Sequence, residues 1–270
     1  MTVNHPSARD RRGRSIQMTW TTAGLLLLLT ASPGTSQSAG EPDPLPRDLE
    51  IHLALSALPP HLRDQATVYV LNPSQGFEVA REGSNGFHAL VARTGDDTFF
   101  GTWSLTKYRD DILYPIAFDK AGAKAQMRVF IDAAAMQARG TRPAELKRIM
   151  QERHTSGYYG APERAGLAYM LSPVLRTYFN PAATDSLLTV SLPHVMYFAP
   201  DVSDVDIGSG QLGGPYPFVI LHGHHGYMIQ VLGVTERAAI NKEYSDMLAR
   251  LCRIKDAWCL PHSTMEGVNP

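Results

Sequence analysis

The chain has 270 residues, of which 44% are hydrophobic and 19% charged, and its formal net charge at pH 7 is −1. This length and composition suit a globular protein with one sizeable core or two small ones. The charge is close to neutral and the sequence has no basic run beyond its first residues, which argues against nucleic acid and anionic membrane surfaces as partners.

Residues 1–39 have the pattern of a cleaved export signal. A short apolar core spans residues 20–30, and the following residues 32–40 are rich in small residues and helix breakers that suit a peptidase. Four arginines form the basic region before the apolar core: Arg9, Arg11, Arg12 and Arg14.

A membrane anchor or a buried core helix is the alternative interpretation of this apolar segment. A spanning helix needs about 20 apolar residues, and this core is roughly half as long. Pro33 and Gly34 close it. We therefore predict cleavage after Ser38, Ala39 or Gly40, no stable membrane insertion afterwards, and a periplasmic or secreted bacterial protein.

Cleavage would change the charge of the protein. Residues 1–40 contain four arginines and one aspartate, a net of +3, so a mature chain starting at residue 41 has a formal charge of −4. The sequence predicts a proline-rich, disordered lead-in at 40–47, a single domain at 48–260 and a flexible tail at 261–270.

The first part of the domain reads as one helix followed by strands. Residues 48–58 have helical periodicity and stop before Pro59 and Pro60. The Asn-Gly pair within residues 83–86 predicts a β-hairpin turn with positive φ, so the strands should form a meander. The predicted strands are residues 67–71, 77–82, 87–93 and 98–105.

The second part contains a helical pair, further strands and a last helix. Residues 123–139 form the first predicted helix, ended by Gly140, and Thr141 is the predicted cap of the next, which has Pro143 in its first turn and stops before Gly157. This order predicts an α+β fold in which an antiparallel sheet, an N-terminal meander plus a C-terminal hairpin, packs with the helical pair and a C-terminal helix. The remaining predicted elements are strands 167–172, 190–199, 216–221 and 227–232, and helix 235–252.

Cys252 and Cys259 are the two cysteines of the chain. An oxidising compartment favours a disulfide between them, with two packed thiols as the alternative. On one continuous helix they would lie about 10 Å apart along the axis, too far for a bond. A disulfide therefore requires the last helix to end between them.

The most conspicuous candidate for chemistry is the segment His222-Gly223-His224-His225-Gly226 between two apolar strands. Its imidazoles, with His194 as a fourth, predict a zinc site as one alternative. A solvated hairpin tip is the other, and adjacent His224 and His225 would normally point apart. The acidic loop 201–208 lacks the closing glutamate of a calcium loop and reads as a solvated turn.

Five short segments of the domain form a recognisable set: REGSNGF at 81–87, AYMLS at 168–172, PHVM at 193–196 with Ala199-Pro200, DIG at 206–208 and HGY at 225–227. These segments resemble those of an uncharacterised family of exported bacterial proteins. They include His194 and His225, whereas His222 and His224 look particular to this chain. The resemblance implies a single exported domain and brings no established activity.

Two functions follow as hypotheses. The first is an exported domain that binds a small molecule or an envelope protein, in a concavity where the 222–226 hairpin meets the His194 strand and the Asn85-Gly86 hairpin. Its predicted ligand-binding residues are His194, His225, Tyr227 and Asn85, and no cofactor is predicted. The alternative is a metal-dependent hydrolase of the cell envelope that uses His194 and His225, with zinc held by His194, His222, His224 and His225.

Overall fold

A computed structural model describes residues 44–94, 108–161, 164–178, 187–208 and 216–261, all within one compact unit that spans 37–270. The predicted export signal, the predicted strand at 98–105 and the predicted tail after residue 261 lie outside the described residues. Leu45, in the predicted lead-in, is 5% exposed and packs in the core, so ordered structure begins before residue 48.

The centre of the fold is an eight-stranded sheet in the order β2-β1-β3-β4-β5-β8-β10-β9, beside a two-stranded sheet of β6 and β7. All pairings are antiparallel except that of β1 with β3. The strands are β1 Thr67–Asn72, β2 Gly76–Arg81, β3 His88–Ala92, β4 Tyr114–Phe118, β5 Gly166–Met170, β6 Leu175–Tyr178, β7 Leu187–Val190, β8 His194–Phe198, β9 Phe218–Leu221 and β10 Tyr227–Val231.

The predicted hairpin across residues 83–86 is wrong, and with it the N-terminal meander. β1 lies between β2 and β3, so these two strands do not pair with each other. Gly86 has the expected positive φ of 78°. The Asn85 side chain shapes the connection instead, since its Oδ1 accepts from the Phe87 N–H at 3.0 Å and its Nδ2 donates to the Leu62 carbonyl at 2.8 Å.

The helices confirm the α+β class and most predicted positions. α1 is Arg47–Ser56, α2 is Pro60–Arg63, α4 is Pro143–Thr155, α5 is Val234–Glu243 and α6 is Ser245–Ile254. Helix α3, residues 120–138, is continuous through α-helical Lys120–Gly122, π-helical Ala123–Met127 and α-helical Arg128–Ala138. Within the described ranges, no helix combines the length and apolarity needed to cross a membrane.

The start of α4 differs from the prediction. Pro143 is in the first turn as expected, but Arg142 holds the capping position and makes no side-chain capping bond. Thr141 instead offers its carbonyl oxygen to the hydroxyl of Tyr108. A glycine with positive φ follows each helix of the pair, Gly140 at 76° and Gly157 at 73°. This is the left-handed backbone conformation in which α-helices commonly end.

Apolar side chains cover both faces of the sheet. Alternation along β3 sends Leu90 into one buried cluster and Val91 into the other. The Leu90 cluster includes Phe130 of α3, whereas the Val91 cluster includes Leu53 of α1 and Leu251 of α6. The sheet is therefore the middle of three layers, with α3 on one side and α1 and α6 on the other.

The C-terminal helix is broken in two, which the sequence did not predict. α5 ends and α6 begins around Tyr244, whose side chain is buried. Cys252 and Cys259 form a disulfide with a Cα–Cα distance of 4.5 Å. As predicted, helix α6 ends between them, at Ile254, and a short turn at Asp256–Trp258 brings the chain back.

A buried ionic network holds the small sheet to the C-terminal turn. Asp111, 6% exposed, accepts from Arg109 at 3.0 Å and from Arg176 of β6 at 2.6 Å. Burial opposes ionisation of this carboxyl, but the two guanidinium groups outweigh it and lower the pKa of Asp111 to about 2. The Asp111 carbonyl oxygen also accepts from the indole N–H of Trp258 at 2.8 Å.

Candidate functional site

Strand register divides the loops of the large sheet between its two ends. Gly166 of β5 and Tyr227 of β10 both pair with Phe198 of β8, and β4 ends nearby at Phe118. The start of α3 and the turn at 222–226 therefore lie at one end of the sheet. His194 pairs with Met170 and Val231 at the other end.

A cleft of about 540 Å³ opens beside the first turns of α3. One wall is α3 itself, and the other includes residues 158–161 and Arg164. The described lining residues comprise four cationic side chains, two tyrosines and small alanine and glycine residues, and no carboxylate is among them. The charged and aromatic lining residues are Lys120, Lys124, Arg128, Arg164, Tyr158 and Tyr159.

Close packing fixes the start of α3 against the sheet. Asp119 caps the helix, its Oδ1 accepting from the Gly122 N–H at 2.7 Å. A side chain at Gly122 would place a Cβ 2.7 Å from the Phe198 ring, so only glycine allows this approach. The cationic wall of the cleft is thus built on a rigid element.

The opposite wall is held by an aromatic and ionic cluster. The Tyr158 ring lies 4.2 Å from the Arg128 guanidinium and 4.7 Å from that of Arg153. Tyr159 is buried and donates to Asp132 at 3.1 Å, and Asp132 also accepts from Arg153 at 2.7 Å. Burial is the main reason that the pKa of Tyr159 lies well above its usual range, so its hydroxyl stays protonated.

His225 lies behind this wall. Its ring is edge-on to that of His154, with centroids 5.4 Å apart, and the His154 ring in turn lies 5.0 Å from that of Tyr159. Burial first, and the rings of His154 and His224 second, lower the pKa of His225. The imidazole is therefore neutral at pH 7, and its buried Nδ1 has no hydrogen-bond partner in the described part of the chain.

The structure does not bring His194 and His225 together. Their strands pair Tyr227 with Phe198 and Val231 with His194, so His194 lies four residues, about 13 Å, from the end of the sheet that carries His225. His194 is 5% exposed, its Nδ1 is hydrogen-bonded to the Leu192 carbonyl at 2.7 Å, and burial lowers its pKa. It is a neutral core residue whose imidazole orders the turn before β8.

The other two predicted ligand-binding residues also have structural roles. Tyr227 is 2% exposed and belongs to the core cluster beneath α3. The polar atoms of Asn85 are both used in the connection before β3. Asn85 lies at the same end of the sheet as the 222–226 turn, but the four strand spacings from β3 to β10 separate them by about 19 Å.

His222 and His224 are exposed and face the acidic loop. His222 Nε2 lies 3.4 Å from Asp204 Oδ2, and His224 Nδ1 lies 4.0 Å from Asp201 Oδ2. Among the residues that the structure describes, no group of three or more histidine, cysteine, aspartate or glutamate side chains is arranged to hold a metal. The four-histidine zinc site is therefore not assembled.

The cationic cleft was missed at the level of sequence, although its signal was present. Lys120, Lys124 and Arg128 are spaced by four residues, which places them along one side of a helix, but the predicted helix began only at residue 123. Arg164 is distant in sequence and only the fold adds it.

No family model, no curated protein and no solved structure matches this chain, so the resemblance to exported bacterial proteins stays a prediction.

Proposed function

We propose that this protein is an exported domain that binds a small anionic molecule in the cleft between α3 and the wall formed by residues 158–161 and Arg164. The observation that supports the proposal is the lining, in which four cationic side chains surround about 540 Å³ and no carboxylate is among the described lining residues. Cations on two facing walls attract an anion from both sides, and the low-dielectric walls of a cleft strengthen that attraction.

The cationic lining of the cleft contrasts with the net negative charge of the mature chain. A mature chain of formal charge −4 repels anions in general, so a local concentration of cations has to act against the background field. Tyr158 also lines the cleft, and its hydroxyl accepts a hydrogen bond from the guanidinium of Arg128.

Pyrophosphate is a suitable probe, titrated into the mature protein by calorimetry at constant ionic strength. We expect Lys120→Gln and Arg164→Gln, one on each wall, to weaken binding roughly five-fold each, as for loss of one charge-assisted hydrogen bond of about 1 kcal/mol. Lys242→Gln is the matched control, because Lys242 is exposed on α5 and does not line the cleft. Equal affinity in all four proteins, or no binding to the wild type, would refute the proposal.

We propose a periplasmic or secreted location on the basis of the export signal and the disulfide. Disulfides persist in oxidising compartments, and this one closes a short loop that should contribute roughly 2 kcal/mol. Expression of the full chain in a bacterium, followed by fractionation and N-terminal sequencing, tests this. A mature N-terminus near residue 39 in the exported fraction is expected, and an intact chain in the cytosol with free Cys252 would contradict it.

A further inference from the structure

His225 joins the turn at 222–226 to the segment that follows α4. Its ring packs edge-on against that of His154, with centroids 5.4 Å apart, and it makes a hydrogen bond with the backbone of Tyr159. That bond raises the pKa of His225, so a ring N–H donates it and the Tyr159 carbonyl oxygen accepts. Tyr159 lines the cleft, so this one imidazole connects the turn to the cleft wall.

The backbone of the turn is held independently of this side chain. The Gly223 carbonyl oxygen accepts from the N–H groups of Gly226 and Asp201, both at 2.8 Å, and the Gly226 carbonyl oxygen accepts from Ala199 at 3.0 Å. A Cβ at Gly226 would lie 2.7 Å from the Gly223 oxygen, so the turn packs too closely for a side chain there. The His225 side chain can therefore leave the wall by changing rotamer, without disruption of the strands.

The surroundings of His225 accommodate a neutral imidazole and oppose a charged one. A neutral ring needs one acceptor for its single N–H, and the Tyr159 carbonyl provides it. The buried Nδ1 has no hydrogen-bond partner among the described residues. Protonation turns this Nδ1 into a second donor, which would be buried without an acceptor. Because a buried charged donor without a partner is costly, the protonated ring favours solvent.

Two neighbouring imidazoles add to this preference. Burial is the largest cause of the lowered pKa of His225, and the rings of His154 and His224 are the next. His154 belongs to α4, whereas the His224 ring lies on the same turn with its centroid 5.6 Å away. Protonation of either neighbour in acid therefore places further positive charge beside His225.

The carboxylates of the neighbouring elements contact other side chains. Among the described residues, none of the groups that shift the pKa of His225 is a carboxylate. A protonated imidazole at this position would thus lack an ion-pair partner in the part of the chain that the structure describes. The carboxylates and the residues they face are Asp204 with His222 and Asp201 with His224 in the acidic loop, and Asp132 of α3 with Arg153 and Tyr159.

We propose that His225 is an acid-sensitive latch, whose neutral imidazole holds Tyr159 of the cleft wall to the turn and whose protonated imidazole swings into solvent and releases it. The latch would act whichever ligand the cleft takes, so it goes beyond the proposed anion binding. Because the docked ring binds the proton less well than a solvated one, docking is fully favoured above about pH 6.5, the ordinary pKa of histidine.

Docking weakens as pH falls below that value, by up to about ten-fold for each pH unit. At pH 5 the weakening is at most about thirty-fold. A single neutral hydrogen bond contributes roughly ten-fold or less, so a change of this size is sufficient to release the imidazole.

Proton NMR of the mature protein between pH 7.5 and pH 5 tests the latch. We expect cross-relaxation between the ring protons of His225 and His154 at pH 7.5, and its loss in acid at the pH where the His225 ring titrates. His225→Gln replaces the imidazole with a neutral amide that can still donate to the Tyr159 carbonyl, and should keep its contact with His154 at pH 5. His222→Gln is the matched control, since His222 is exposed on the same turn, and should behave like the wild type.

Several outcomes would overturn the latch. The first is a wild-type contact between His225 and His154 that persists at pH 5. The second is an equal loss of the contact in His225→Gln, because another group would then cause the release. If His225→Gln does not fold, the wild-type titration decides, and different midpoints for ring protonation and for loss of the contact would overturn the proposal. Unchanged amide shifts in the β1–β3 region would show that the fold is intact at pH 5.

Discussion

Arginine and lysine side chains serve opposite purposes in two regions of this molecule. In the network around Asp111, Arg109 and Arg176 converge on one buried carboxylate, and the positive charge is compensated inside the protein. In the cleft, the cations of α3 and Arg164 line an open volume, and no carboxylate is among its described lining residues. The first arrangement stabilises the fold, whereas the second is the proposed anion site.

The difference shows that the surroundings of a cation, more than its identity, indicate what it does. Side chains of Asp111 and Arg176 are 9% and 12% exposed, so their pairing excludes water and fixes geometry. The cationic cleft residues are exposed and cost little to keep charged. Each region therefore predicts a different response to loss of charge.

Loss of the Asp111 carboxylate should have the largest effect. Asp111→Asn keeps the shape but leaves two guanidinium groups without a counter-charge, and we expect it to lower the free energy of unfolding by about 2–4 kcal/mol. Urea denaturation at pH 7 measures this. Asp110→Asn is the control, since Asp110 pairs with Lys255 at a side chain that is 49% exposed, and should cost no more than about 1 kcal/mol. Equal losses of unfolding free energy in the two variants would mean that the pairing of Asp111 with the two arginines does not stabilise the fold.

Glu50 is a second test of how a buried charge is compensated, because its carboxylate is buried and accepts a hydrogen bond from a backbone N–H. It is 1% exposed and accepts from the Leu71 N–H at 2.9 Å, and burial raises the pKa of Glu50 to about 7. Because the folded-state pKa lies above the unfolded value, the contribution of Glu50 to stability is fully present below about pH 4.5 and is lost as pH rises through 7. We expect a loss of about 3 kcal/mol across that window.

Glu50→Gln should abolish this pH dependence and stabilise the protein above pH 7, because Gln can still accept from Leu71. Denaturation curves between pH 4.5 and 8 measure it. Glu78→Gln serves as a control at an exposed carboxylate paired with Arg47, and should leave the slope in this window intact. The same pH dependence in the wild type and in Glu50→Gln would contradict the assignment.

The smallest effect on stability is expected in the cleft. Lys120→Gln and Arg164→Gln should each change the free energy of unfolding by less than about 0.5 kcal/mol, because neither removes a buried contact. The same variants should weaken anion binding, so they should lower the affinity for the ligand while leaving the stability of the fold nearly unchanged. A destabilisation comparable to that of Asp111→Asn would show that the cleft cations belong to the structure and not to a binding site.

Periodicity and breakers in the sequence were sufficient to predict much of the fold. The helices near residues 48–58 and 123–139, the β9–β10 hairpin and the end of α6 between the cysteines follow from local patterns. The position of β1 between β2 and β3 does not, since an Asn-Gly turn signal describes only its own four residues. β4 was missed because Pro115 lies within it, which local rules count against a strand.

The candidate site was less predictable for the same reason. Histidines close together in sequence drew attention to 222–226, but strand register sends His194 to the opposite end of the sheet. The cleft depends on α3 and on residues 158–161 with Arg164, which only the folded chain brings face to face. Spacing within one helix can be read from a sequence, whereas the second wall cannot.

The central claim is that anions bind between α3 and the facing wall, and amide chemical-shift mapping tests it most directly. Pyrophosphate would be titrated into ¹⁵N-labelled mature protein at constant ionic strength. The account predicts saturable shifts that are largest at Lys120, Lys124, Arg128, Tyr158 and Arg164, with little change at Asp204 and His222. Largest shifts at the acidic loop and the histidine turn, or shifts spread evenly over the surface, would contradict it.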